Sequence, residues 1–511
     1  MVGGGHNGLI CAAYLARAGV ETMVVESRDQ VGGAASTVSD LGARFNICNC
    51  DHTMVRALPL AEELDLNRHG LRYLEPVAST LNVYYDESNP WAIFHDVDET
   101  VTSISTAMPT QGDAYRRYLQ DALPVAELVV EMARTNPTTI GMLRTVVGRR
   151  ARGATTLLRW SRQSLHQVLS QYFDDWRMLM PATAVGPTVW GAPPTAPGTG
   201  MAAVGYAVRH VLKTGRPEGG SGALTDAVAA SFTLAGGETR TGARVASLLI
   251  KDSKVGGVKL SDGTVLRSRL VVAACDPRRV MLDWVDEPPP AARKMVESLR
   301  SEPDHHGYES KIDGVLTAPT VTRWAEYLNG VHPGVDLTQP TVVVNPSPNE
   351  LAEAHALRSE GRVAARPTLL MNQPTTVDPT MAPAPGQHIL SLEALFTPYA
   401  LPGGWPESSE PQRWLDLWAD FAQPGFAQSI DRWRVMTPDR YEKEFSMHRG
   451  HTPSYAGPPL AALLGRGTYK ATTRYKAPID GLYFTGAGTY PGAGVFGASG
   501  RNAAAAILRA R

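Results

Sequence analysis

The stretch Gly3-Gly4-Gly5-His6-Asn7-Gly8, followed by Thr22-Met-Val-Val25 and the acid Glu26, decides the fold. Its spacing is G-x-G-x-x-G. Gly3 allows a tight turn after a strand, Gly5 lets backbone approach a pyrophosphate, and Gly8 lets the next helix lie close on the sheet. The start of that helix offers free N–H groups and the positive end of its dipole to a phosphate. Leu9, Ala12, Ala13 and Ala16 form a small inner face that predicts a helix over Gly8–Ala18, ended by Gly19. Thr22–Val25 then reads as a buried parallel strand. A glycine turn alone often does no more than turn. Here Glu26 stands 18 residues past Gly8, at a strand end, where a carboxylate accepts bonds from ribose hydroxyls. Turn, helix, strand and acid together specify a dinucleotide-binding βαβ unit. Only Met1 and Val2 precede Gly3, a stub of the strand such a turn follows, and we expect the natural start to lie upstream with no leader peptide before the motif.

The residues after Glu26 choose between dinucleotides. Ser27-Arg28-Asp29-Gln30-Val31-Gly32-Gly33-Ala34-Ala35 brings a second glycine pair within a few residues of the acid. A plain NAD domain has no need of it, whereas a longer cofactor such as FAD runs past this point and asks for close backbone approach. Near the other end, Gly481-Leu-Tyr-Phe-Thr485 is strand-like. It leads into a turn holding Gly486, Gly488, Gly492, Gly494, Gly497 and Gly500, and then into an Ala-rich helix read as Arg501–Arg511. A second helix start aimed at a ligand suits the electron-rich end of a reduced flavin.

Length and composition bound the rest. At 511 residues the chain can bury several cores without staples. Its net charge of -1 gives no bulk attraction to nucleic acid. Four cysteines are too few for a disulfide scaffold and suggest a reducing, cytoplasmic compartment. The longest charge-free run, Met178–Val208, carries Pro181, Pro187, Pro193, Pro194 and Pro197, so it cannot be a membrane helix. It reads as an apolar, irregular segment inside the protein.

Between the terminal motifs the pattern changes three times. Residues 76 to 205 are read as mainly helical, with Arg144, Arg149, Arg150, Arg152, Arg159 and Arg162 among Leu143, Val146, Val147, Leu157, Leu158 and Trp160. Two readings stand for this basic segment: a face resting on an anionic membrane surface, or a solvated helix face, which is the commoner fate of such charge. Pro217-Glu-Gly-Gly-Ser-Gly222 is a turn before an Ala-rich helix ending at Leu234. Thr241–Lys251, Val255–Leu260 and Thr264–Ala274 are strand-like runs divided by Asp252-Ser253 and Asp262-Gly263, the second a hairpin signal. Further on, Thr341–Val344 and His388–Leu392 read as strands and Trp414–Phe421 as amphipathic helix. The chain is therefore a mixed α/β protein. A Rossmann-type FAD-binding domain is assembled from residues 1–75, 206–285 and 471–511, and a substrate-binding domain from 76–205 and 286–470.

These residues carry a resemblance. The two terminal motifs, together with Pro217–Gly222, Asp378-Pro379, the Pro398-Tyr399 region and Gly488–Val495 with Gly500-Arg-Asn502, resemble the phytoene desaturase-related FAD-dependent oxidoreductases, closest to the bacterial relatives of pyridine nucleotide-disulfide oxidoreductase domain-containing protein 2. The resemblance covers nearly the whole chain. It implies the fold shared by flavin amine oxidases and desaturases. It also implies that Val245 meets the adenine through its backbone, that Ala273 and Ala274 lie near the cofactor, and that Gly488, Gly494, Val495 and Phe496 lie near the isoalloxazine. Gly3, Gly5, His6, Asn7 and Gly8, then Glu26, Ser27 and Arg28, then Gly32, Gly33, Ala34 and Ala35, complete the cofactor set. Tyr490, where the family pattern has His, and the loop Met447–Pro453 are departures.

Some chemistry is missing. Cys11, Cys48, Cys50 and Cys275 contain no C-x-x-C or C-x4-C pair, so a flavin-linked redox disulfide is not expected. A bridge within Cys48-Asn-Cys50 would be strained, and buried thiols are the simpler reading. No second G-x-G-x-x-G stands mid-chain, so the flavin's electrons are expected to pass to oxygen, a quinone or another acceptor. The pairs His448/His451 and His305-His306 lack a H-E-x-x-H context, and no metal is expected. The sequence points to hydride removal from an apolar or weakly polar small molecule, and names no catalytic residue. Its rivals are a flavin amine oxidase, a carotenoid-type desaturase or isomerase, and a non-catalytic lipid-binding or regulatory protein on the same fold.

Overall fold

The structure is a computed structural model that describes residues 1–48, 50–148, 153–184, 186–189, 191–304, 306–452, 454–455 and 469–511. At its base five segments lie side by side and parallel: Glu238–Arg240, Met23–Val25, the stub around Val2, Val271–Ala273 and Leu482–Phe484. The stub is central. Val2 donates to Val272 O at 2.8 Å, and Val25 donates to Met1 O at 2.9 Å. From this stub the chain first adds strands on one side, and later segments add them on the other. In open parallel sheets such a reversal of strand order opens a crevice beyond the strand ends, and the glycine turn sits there.

The first helix runs His6–Arg17, two residues longer at its start than its apolar pattern indicates, because the buried residues of its first turn include the polar Asn7. Leu9, Ala12, Ala13 and Ala16 are all buried, as an inner face must be. This helix packs against both Gly222–Leu234 and Ala498–Ala510. The last helix begins at Ala498, not Arg501. Gly497 caps it at a φ of 78°, so the helix starts inside the glycine stretch.

Two further readings are corrected. Thr264–Ala274 is not one strand. Val265–Arg267 closes a three-stranded antiparallel sheet with Val245–Lys251 and Lys254–Leu260, and Val271–Ala273 belongs to the parallel sheet. The polar Ser268-Arg269 between them is where the chain changes sheet. Residues 76–205 also hold two strands, Thr80–Tyr84 and Trp91–Ile93, before the helices begin. Both hairpin turns follow local chemistry: Asp252 and Ser253 take φ of 51° and 60°, and Gly263 takes 88°.

Above the parallel sheet stands a seven-stranded sheet in the order Ile430–Met436, Glu309–Leu316, His388–Leu395, Leu369–Asn372, Thr341–Asn345, Thr80–Tyr84, Trp91–Ile93. Its neighbours pair antiparallel except Thr341–Asn345 with Thr80–Tyr84. Helix Gln111–Arg134 packs on Val204–Val211, with Tyr118, Trp160, Phe173 and Tyr206 filling the contact. The described residues of the charge-free run form short helical pieces, the 3-10 turns Met180–Ala184 and Thr199–Ala203 among them, and not one continuous helix. In the basic segment, Leu157 and Trp160 are buried, while Ile140, Leu143 and Val147 are exposed on helix Thr139–Gly148. Arg149, Arg150 and Arg152 lie outside the described residues, as do His305 and Pro453. Among the described residues no helix is long and apolar enough to cross a membrane.

Candidate functional site

The three motif glycines differ in what the fold asks of them. Gly3 sits at a φ of 94°, a conformation side chains disfavour. Gly8 is a packing position: a Cβ there would run into the Gly3 carbonyl and the Ala274 methyl. Gly5 has neither constraint. Its φ of -69° and ψ of 168° suit any residue, and a Cβ would meet only Gly33 Cα, at 3.9 Å. The fold leaves open space at Gly5, beside the uncapped start of a twelve-residue helix.

Around this turn the other sequence candidates assemble. Glu26 is buried. Its Oε2 accepts from Gly4 N at 2.7 Å, and its Oε1 accepts from Arg28 N at 2.9 Å and Ser27 Oγ at 3.2 Å. Gly32 N donates to Gly4 O at 2.8 Å, so the second glycine pair lies backbone against backbone with the first. A Cβ on Gly33 would press on Gly5 Cα. Ala34 and Ala35 continue as a 3-10 turn. The Arg28 guanidinium lies over the Phe445 ring at 4.3 Å and donates to Ser36 Oγ at 3.2 Å. The segment leading to Val245 folds back over the acid. Ala243 N donates to Glu26 O and Gly242 N to Arg28 O, each at 2.8 Å, and Val245 just beyond packs into the core with Val2 and Val25. Ala274 N donates to Val2 O at 2.8 Å, so Ala273 and Ala274 floor the turn.

The last glycine stretch meets the first. Asn7 Oδ1 accepts from Gly500 N at 3.3 Å while its Nδ2 lies 2.9 Å from His6 Nε2, so the Asn7 side chain ties the last helix to His6. Burial pulls the His6 imidazole down to about 4, opposed by the Gly494 backbone beside it, and the ring is neutral at physiological pH. Gly488 and Phe496 reach a cavity of about 1120 Å³, while Val495 packs on the neighbouring core. Apolar side chains dominate its walls, among them Val129, Met132, Leu157, Met201, Val204 and Val208. The charge-free run thus serves as cavity wall. Tyr490 lines it too, with its hydroxyl donating to Met132 O at 3.2 Å.

Sequence reasoning missed the polar side of the site. His52 is fully buried, its Nε2 2.7 Å from Ser221 Oγ and its Nδ1 3.1 Å from Tyr73 OH. Burial holds its pKa near 3, with His6 adding to the shift. Asp51 carries an ion pair from Arg216 at 2.7 Å and a bond from Thr341 Oγ1 at 2.5 Å. The dipeptide Asp51-His52 lies in no periodic pattern that would flag it. Strand Glu309–Leu316 is buried along its whole length despite Glu309, Lys311 and Asp313. Lys311 Nζ donates to Asn46 O at 2.6 Å and pairs with Asp313, whose other oxygen takes Arg434 at 2.9 Å. The four cysteines are free, and burial pushes the Cys50 and Cys275 thiols up to about 12, so none is poised as a thiolate.

Glu393 faces Lys311 across the strand pair, with Oε1 lacking a hydrogen-bond partner among the described residues. Burial raises its pKa to about 7, against the pull of Lys311. A carboxyl raised in the folded state keeps its proton where the unfolded chain has lost it. Its contribution is therefore present at low pH and is lost as pH climbs from about 4.5 toward 7. Glu393→Gln should flatten that part of the stability curve. We expect a higher melting temperature than the parent at pH 8 and little difference at pH 4.5. A parallel offset at both pH values would refute the assignment.

Comparison with known proteins now decides the family. The model for flavin-containing amine oxidoreductases matches residues 8–303. The chain belongs to that family. It is 29% identical over 556 residues to pyridine nucleotide-disulfide oxidoreductase domain-containing protein 2 of Rattus norvegicus, covering all of this chain and 93% of that one. It is 24% identical to a lycopene-forming phytoene desaturase of Pseudescherichia vulneris, over 97% of this chain and 96% of that one. Its fold is that of cyclohexylamine oxidase from Brevibacterium oxydans (TM-score 0.57, 14% identity, all of this chain and 98% of the other). The protein is an FAD-dependent oxidoreductase. The open space at Gly5, which the protein's own packing does not need, fits that cofactor.

Proposed function

We propose that this flavoenzyme removes hydride from an apolar or weakly polar organic substrate held in the 1120 Å³ cavity. The carrying observation is that cavity: its walls are mostly aliphatic, and it meets the last glycine stretch at Gly488 and Phe496. FAD, when bound, supplies a ring that accepts hydride. The protein's share is placement and dryness. Glu26 holds the ribose, Gly5 leaves room for the pyrophosphate, and the loop Gly488–Phe496 receives the ring. Met132, Leu157 and Met201 keep water from the reacting carbon. Oxygen, a quinone or another acceptor then takes the electrons.

An amine oxidase would place two rings face to face with substrate between them. The tyrosines here do not. Tyr455 and Tyr490 meet edge to face, 5.7 Å between centroids and 87° between planes, and Tyr455 OH is spent on Thr473 at 2.6 Å. The geometry favours hydrocarbon-like substrates over small amines. The test is an anaerobic screen of alcohols, amines and polyenes against the yellow holoenzyme. Bleaching by apolar members is the expected result. Bleaching by amines alone would overturn the reading, and a protein that stays yellow against the whole set would support the carrier alternative.

The proposed ribose contact also has its own test. Glu26→Ala removes that contact together with the acceptor of Gly4 N. FAD affinity should fall by about 1–3 kcal/mol, or about 5- to 150-fold in Kd. The apo protein should melt slightly earlier, because the turn loses its brace. Titration of deflavinated protein with FAD measures both, and an unchanged Kd would remove Glu26 from the cofactor site.

A further inference from the structure

The apolar cavity has a charged end. Helix Val204–Val211 turns Val204, Gly205, Val208 and Arg209 toward it. Three arginines stand in its wall. Arg278 pairs with Asp304 at 3.2 Å, and Arg358 donates to Gly191 O at 3.0 Å. The Arg209 guanidinium makes no hydrogen bond or ion pair within 4 Å to any described residue. Burial lowers its pKa, and the one carboxylate acting on it is Asp51, already engaged by Arg216 and Thr341.

Behind Arg209 lies a smaller chamber of about 90 Å³, and the two spaces share Thr53, Gly205 and Arg209. Thr80, Asn82 and Thr341 from the seven-stranded sheet, with Asp51, form its polar side. The buried Thr80 hydroxyl and Asn82 side-chain oxygen have no hydrogen-bond partner among the described residues. Charge at this end does not balance. Arg216 and Asp51 neutralise each other in their ion pair, and Arg209 is left as the chamber-wall charge without an ion-pair partner among the described residues. A partly enclosed cation without an ion-pair partner favours a compensating anion. One monoanion makes the sum zero. A dianionic phosphate would overshoot it, and a cationic amine would add to the excess.

We propose that Arg209 anchors a carboxylate carried by the substrate, so that the substrate is an amphipathic acid: a long apolar body in the large cavity and a carboxylate head at the Arg209 end. The inference rests on the apolar-substrate reading above and names its class. A planar guanidinium presents paired donors that match a carboxylate, whereas hydroxyl and amine heads cannot use both. Arg209 is a binding and positioning residue: by holding one end it sets which carbon of the chain reaches the Gly488–Phe496 loop.

Isothermal titration of the holoenzyme at pH 8 with dodecanoate, 1-dodecanol and dodecylamine tests this. Dodecanoate should bind about 10- to 100-fold more tightly than dodecanol, with dodecylamine weakest. Arg209→Met should erase the acid's advantage and leave dodecanol binding near the parent value. Arg209→Lys should keep part of it. The flavin spectrum and melting temperature show which variants are folded, and Arg209→Gln replaces any that is not. Equal binding of acid and alcohol by the parent, or an acid preference that survives in Arg209→Met, would overturn the anchor while leaving the apolar cavity intact. Failure of every alkyl probe to bind would overturn both.

Discussion

A Gly5→Val protein is expected to fold, to purify without colour, and to show no rise in melting temperature when FAD is added. The reason is specific to this glycine. At Gly3 the backbone conformation itself selects glycine, with a φ of 94°. At Gly8 there is no room for a methyl group against Gly3 and Ala274. At Gly5 the backbone is ordinary and a Cβ finds Gly33 Cα only at 3.9 Å, so the protein's own packing tolerates a side chain there. The space that valine would fill is the space the proposed pyrophosphate needs. Bound ligand stabilises by RT ln(1 + [L]/Kd), about 4 kcal/mol at a thousandfold excess over Kd. The variant forfeits that increment while the apo protein melts near the parent's apo value. Differential scanning with and without FAD reads both quantities at once. A yellow variant with the parent's FAD-induced shift would mean that the turn does not hold the cofactor. A variant that does not fold at all would mean that Gly5 is structural like Gly8.

The same turn shows why part of this protein was legible in its sequence. G-x-G-x-x-G names three positions whose demands are local: conformation, open space and close packing. Local demands leave local signals, and so do the Asp252-Ser253 and Asp262-Gly263 hairpins. The helix Ala498–Ala510 begins three residues before its pattern indicates because Ala498-Ser499-Gly500 continue a glycine-rich stretch, and Gly500 lies so close to the first helix that a Cβ there would meet the Asn7 carbonyl. The cavity left no signal. Its wall is drawn from residues as far apart as Thr53 and Phe496, and proximity of that kind is written in topology rather than spacing. Arg209 is one basic residue in an apolar helix until the fold shows that its neighbours have other partners. Strand Glu309–Leu316 carries no legible signal either. Three charges in its first five residues suggest a solvated segment, yet every residue is buried, because Asn46, Glu393 and Arg434 converge on those charges from other strands.

That buried network supports the second large effect. Lys311→Met should destabilise the protein by about 3–5 kcal/mol. The side chain is 1% exposed, as is that of its partner Asp313. Methionine matches the lysine stem in length and apolar character, so the loss is electrostatic rather than a cavity. Asp313 keeps Arg434 on one oxygen but loses Lys311 on the other, and the Asn46 carbonyl loses its donor. Glu393 loses the cation that favours its ionised form, so its pKa should rise further and the proton stay bound to higher pH. The cost should therefore grow from pH 5 to pH 8. A carboxylate buried without its cation is worse than no carboxylate. Lys311→Met combined with Asp313→Asn should accordingly recover part of the loss, a coupling that a double-mutant cycle isolates. Chemical denaturation of the four proteins at both pH values measures it. Additive losses, or a Lys311→Met protein as stable as the parent, would show that the charges in this strand do not depend on one another. The burial of Glu309–Leu316 would then need another explanation.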